Sequence, residues 1–149
     1  MPRTPHPTAP YQLTTLYSVP DDAWYLELDD LADGGRTLVV AVVPDEDPAR
    51  EPHVHFDPNT GHRYIPYEVL RWFLDEVGAE IARSRDWMAL RPEIVEVIKE
   101  LRGEYLGAIG DEDVEPVLAG LRGTVPAADL ADVMRHAFSR GADGRPLVP

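Results

Sequence analysis

Three of the five histidines fall within ten residues, in the run Glu51-Pro52-His53-Val54-His55-Phe56-Asp57-Pro58-Asn59-Thr60-Gly61-His62-Arg63-Tyr64-Ile65. Side chains on a strand alternate between its two faces, so the His53-x-His55 spacing aims two imidazoles the same way. With Asp57 and His62 they make a nitrogen and oxygen donor set suited to a divalent metal such as zinc. Three protein ligands and a water would leave an open catalytic position, with Glu51 or Glu68 as a base or as a partner orienting a ligand. A short His-x-His lacks the longer spacing that makes zinc motifs specific. The competing reading is a solvated sheet face of polar, strand-compatible residues. A cluster of imidazoles titrating near neutrality, and so a pH switch, is a third.

The positions of these side chains depend on the turn between them. Proline suits the second position of a type I turn, asparagine the third, and glycine a left-handed residue near the end. Pro58 cannot take the positive φ of a two-residue hairpin turn. The expected solution is a four-residue loop, Pro58 to Gly61, with Asp57 opposite His62, Phe56 opposite Arg63, His55 opposite Tyr64 and Val54 opposite Ile65. His53, His55, Asp57, His62 and Tyr64 then share one face, pointing away from the core of the sheet, and Val54, Phe56 and Ile65 share the other with Arg63.

The elements around this segment follow from pattern. Residues 1–10 carry four prolines and little to bury, and read as a flexible arm. Residues 11–18 are β-prone. Residues 24–29 alternate, with Trp24, Leu26 and Leu28 facing one way and Tyr25, Glu27 and Asp29 the other. Asp33-Gly34-Gly35 marks a turn, and Thr37–Val43 reads as a strand buried on both faces or central to the sheet. Pro66 is placed to open a helix that runs to about Arg83, with an apolar stripe of Leu70, Phe73, Leu74, Val77 and Ile81. Ser84 to Trp87 read as a connector. Further helices are expected from Pro92, after Gly110 with Asp111 as a cap, and from Pro126. Strands first and helices afterwards predict an α+β fold, with an antiparallel sheet of four or five strands packed against about four helices in a single domain over residues 11–149. The glycines at 103, 107, 110, 120 and 123 mark that region as the expected place for a hinge.

Composition narrows the function classes. The 149 residues carry 27 acidic against 14 basic side chains, for a net charge of −13. Phosphate would be repelled, so binding to a nucleic-acid backbone is not expected, and a basic protein partner is. There is no cysteine, hence no thiol nucleophile, thiolate ligand or disulfide. No apolar run of membrane length or leader-type segment is visible, and a cytoplasmic location is expected. The three serines, Ser18, Ser84 and Ser139, lie outside any G-x-S-x-G pattern, and no phosphate-binding loop precedes Lys99. Asp29-Asp30 and Asp45-Glu46-Asp47 read as solvated loop charges.

The expectation is therefore a small, acidic, cytoplasmic protein that binds another macromolecule, as a regulatory, accessory or immunity-type factor of a bacterium. Tyr64, Tyr67 and Trp87 are the candidate contact residues, since aromatic side chains dominate interface energetics. A homodimer is compatible with this reading. No resident cofactor is expected. The alternatives are a metal-binding protein or metal-dependent enzyme using His53, His55, Asp57 and His62, and a binder of a small molecule.

Overall fold

The computed structural model describes residues 2–61 and 63–147. It is an α+β structure: a five-stranded antiparallel sheet followed by four helices. The strands are β1 (Arg3–Pro5), β2 (Tyr11–Ser18), β3 (Ala23–Asp30), β4 (Arg36–Pro44) and β5 (His53–Phe56). Each pairs with the next in the chain, which is the simplest solution for strands joined by short turns. The helices are α1 (Tyr67–Met88), α2 (Pro92–Tyr105), α3 (Asp111–Thr124) and α4 (Leu130–Phe138).

The chain divides into two compact units, residues 1–88 and 89–149. In the first, α1 packs over β4 on one face of the sheet. Leu13, Leu26, Leu28, Val39, Ala41 and Val43 meet Val69, Phe73 and Val77 of the helix there. Full burial of side chains of this size contributes about 1.5–3 kcal/mol each. In the second unit α2, α3 and α4 bury Ile94, Ile98, Val117, Leu118, Leu121, Val133, Met134 and Phe138. Gly103, Gly120 and Gly123 lie inside its helices and the division of the chain falls at residues 88/89, away from the glycine-rich stretch.

Three local expectations are corrected. Residues 3–5, read as part of a flexible arm, form an edge strand on β2. Proline lacks the N–H an interior strand needs, but an edge tolerates it. The chain after this strand is also held: His6 Nδ1 accepts from the N–H of Thr8 and Ala9, and the ring meets Trp72 edge-on at 5.0 Å. Second, α1 continues through Ser84–Trp87, because Ser84 and Trp87 extend the buried line of Val77 and Glu80 at helical spacing. Third, no hairpin joins residues 53–56 to 63–65 among the described residues: β5 pairs back onto β4, and Arg63, Tyr64 and Ile65 are not in a strand.

Candidate functional site

The site is built on the open edge of the sheet. In β5, His53 lies opposite Val42 and His55 opposite Val40, while Val54 and Phe56 lie opposite Ala41 and Val39. Ala41 and Val39 belong to the core under α1. The histidines therefore occupy the other face, as the alternation predicts, even though the strand they pair with differs from the expected one. Their rings stack, with centroids 6.0 Å apart. Val54 and Phe56 lie on the α1 side of the sheet yet remain exposed, Phe56 by 61%.

The turn after β5 is present, in another form. Asp57 N–H donates to Leu38 O at 3.0 Å, and the Asp57 carboxylate accepts from Asn59 N–H at 2.9 Å, capping a 3-10 turn of Pro58–Thr60. Gly61, at φ 65°, ends it in a conformation that favours glycine. His62 lies outside the described residues. Arg63 then reaches to the far end of β3, with salt bridges to Asp33 at 2.7 Å and Asp30 at 3.7 Å. Burial, Asp30 and Tyr64 together push the Tyr11 phenol above its ordinary value, with Arg63 opposing. Arg63 is thus tied to the end of the sheet, a few residues before α1 begins.

A cleft of about 420 Å³ opens between these pieces, lined by Leu38, Phe56, Pro58, Arg63, Ile65 and Leu70 among others. Tyr67 and Leu74 stand three and four residues either side of Leu70, on the same flank of α1. Both are exposed, Tyr67 by 72%, and Tyr64 is exposed by 89%. Of nine exposed large hydrophobic residues among those described, five (Val54, Phe56, Tyr64, Tyr67 and Leu74) fall within residues 54–74. Scattered apolar residues are normal on a surface, whereas a concentration beside a cleft is not.

The expected contact residues separate accordingly. Tyr64 and Tyr67 are on the surface. Trp87 is not: it is 1% exposed, and its Nε1–H donates to Asp45 at 2.9 Å. Ser84 donates to the same carboxylate oxygen at 2.8 Å. Trp87 thus ties α1 to the end of β4 and offers nothing to a partner. Asp45, read as a solvated loop charge, is its buried acceptor. Among the described residues no group of three or more His, Cys, Asp or Glu side chains is arranged to hold a metal ion.

The histidine face of the sheet carries a second concavity. Strand register sets Arg3, Thr14, Glu27, Val40 and His55 in one row across all five strands. Beside it is a depression of about 500 Å³, whose lining includes Arg3, Gln12, Thr14, Glu27, Asp29 and Thr37. Asp29, also read as a solvated charge, is buried and accepts from Thr14 at 2.7 Å, Thr37 at 2.8 Å and Gln12 at 3.5 Å. Burial, then repulsion from Asp29, raises the Glu27 carboxyl above its ordinary value. The alternation of β3 placed Glu27 and Asp29 on one face, and that was the only sequence signal for this pair.

No protein-family model, curated protein or solved structure matches the chain significantly. No helix among the described residues is long and apolar enough to cross a membrane.

Proposed function

We propose that this protein acts by binding another protein, as a regulatory, accessory or immunity-type factor, through the surface formed by β5, the cleft beside it and the first turns of α1. One observation carries the reading: Val54, Phe56, Tyr64, Tyr67 and Leu74 are all exposed within 21 residues of chain, and Phe56 lines a cleft with Ile65 and Leu70. Aromatic and large aliphatic side chains of this kind supply most of the binding energy in protein interfaces. The net charge of −13 favours a basic partner and fast, salt-sensitive association. Photo-cross-linking tests this in the native cell, with benzoylphenylalanine placed at position 56 or 67 and, as a control, at the exposed position 104. A single discrete adduct from 56 and 67, absent from 104, is the expected result. Adducts of equal yield from all three positions would overturn it.

A second reading rests on the stacked His53 and His55 rings, which present two imidazoles on one face. Two such nitrogens can share a divalent metal with a third ligand from a partner or from the segment that contains His62. Zinc, manganese or nickel added to untagged protein then raises its melting temperature, and His53→Ala abolishes the rise. A wild-type melting temperature insensitive to all three metals excludes this reading.

A further inference from the structure

We infer that the partner is bound by strand addition: an extended, basic segment of another protein pairs with the free edge of β5 and places one apolar side chain in the adjacent cleft. This rests on the reading of the β5 surface as a protein-binding site.

The two edges of the sheet differ in kind. At β1 the edge is three residues long, with Pro5 within it and Pro7 just after it on the outward-facing positions, which deny a neighbouring strand hydrogen bonds. At β5 the strand His53–Phe56 contains no proline, lysine or bulge. Proteins blunt an edge with such features when it must stay unpaired. β5 lacks them.

The direction of its backbone groups follows from antiparallel pairing. Asp57 N–H points inward, to Leu38 O. Successive residues of an edge strand alternate between inward and outward hydrogen-bonding groups, so His55 and His53 also point toward β4. Val54 and Phe56 then present their N–H and C=O groups outward, four groups in all, spaced for a fifth strand-to-strand bond set of the kind β4 already makes. A strand laid there has alternate side chains on the α1 side, next to exposed Val54 and Phe56. The cleft lined by Phe56, Ile65 and Leu70 lies on that side, and its volume of about 420 Å³ accommodates a single large apolar side chain. Main-chain bonds supply affinity in this mode and pockets for alternate side chains supply specificity.

Charge selects the occupant. Asp47 and Glu51 precede the strand, Asp57 and Glu68 follow it, and the nearby Arg63 is engaged by Asp30 and Asp33. A second copy would bring another net charge of −13 to the same edge, whereas a segment with lysine or arginine at alternate positions complements it.

The test uses the full chain and a capped synthetic peptide, Lys-Val-Lys-Ile-Lys-Val, followed by amide hydrogen exchange and chemical shifts. The expected result is slowed exchange at the Val54 and Phe56 amides. An otherwise identical peptide, N-methylated on the residues that would bond them, should bind roughly tenfold or more weakly, as loss of two or more hydrogen bonds requires. This comparison leaves the protein unaltered. Replacement of the lysines by glutamate should abolish binding. Three results would overturn the inference: no binding of the basic peptide, equal binding of its N-methylated form, or a dimer of the free protein in which the Val54 and Phe56 amides are already protected. Cross-linking at positions 56 and 67 without protection of these amides by the captured partner would reject strand addition alone and leave the protein-binding reading standing.

Discussion

The indole of Trp87 donates to the carboxylate of Asp45 at 2.9 Å, across 42 residues of chain. The acceptor sits just beyond the end of β4, and the donor lies in the last turn of α1. With Ser84 on the same oxygen, this contact fixes the far end of the helix against the sheet, while Val69 and Phe73 fix the near end. The orientation of α1 in turn sets where Leu70 stands in the cleft it shares with Phe56 of β5.

Removal of this acceptor should therefore be costly. Asp45→Ala removes the acceptor of two buried donors and is expected to lower stability by about 2–4 kcal/mol. Asp45→Asn keeps an acceptor oxygen and should lose less. Urea unfolding monitored by tryptophan fluorescence measures both, and equal midpoints for Asp45→Ala and wild type would show that the contact does not hold the helix.

Asp29 gives a parallel case on the opposite face. Asp29→Ala removes the acceptor of the buried Thr14 hydroxyl and of the partly buried Thr37 hydroxyl, and a loss of about 1–3 kcal/mol is expected. Thermal melts of Asp29→Ala and of the Thr14→Val, Thr37→Val, Asp29→Ala combination check the origin of the loss. The triple variant, with the donors also removed, should recover part of it.

Glu27 predicts a pH dependence. Its carboxyl is raised above the ordinary 4.5 by burial and by Asp29. A carboxyl raised in the folded state favours folding fully below its unfolded value, and that contribution is lost as pH rises through the folded value. Ionised Glu27 is thus a liability at neutral pH. Glu27→Gln, which resembles the protonated form, should raise the melting temperature near about pH 7 and change it little near about pH 3. A gain of the same size at both pH values would contradict the assignment.

The docking surface should be separable from stability. Phe56→Ser and Tyr67→Ser alter exposed side chains, so each should shift stability by less than about 0.5 kcal/mol. Each should weaken binding to the cross-linked partner by about 1–2 kcal/mol or more if it is an interface anchor. Circular dichroism melts and calorimetric titration measure the two quantities on the same samples.

How much of this was legible depended on whether a signal was local. Alternation in residues 24–29 and 53–56 gave the correct faces, and the stripes of α2, α3 and α4 gave helices within a few residues of those found, although Gly110 and not Asp111 is the N-cap of α3. Asp57 to Gly61 was correctly a turn. Its outcome was not, because alternation identifies faces and not partners: Val54 and Phe56 face the same way whether β5 pairs forward or back. What decides the matter is long-range, namely Asp57 N–H on Leu38 and Arg63 on Asp30 and Asp33. Trp87 and Asp45 failed for the same reason. A polar run at residues 84–87 reads as a connector until its hydrogen-bond acceptor, some 40 residues earlier in the chain, is known. The Asp29 cluster likewise needs three strands in register before its carboxylate reads as buried.

The central claim is that the β5 and α1 surface binds another protein, and native mass spectrometry of the chain purified from its own cells, as wild type and as Phe56→Asp, tests it most directly. The account predicts a second, different polypeptide on the wild type and none on Phe56→Asp, with both chains folded by circular dichroism. The same complex on both proteins, or none on the wild type, would contradict it.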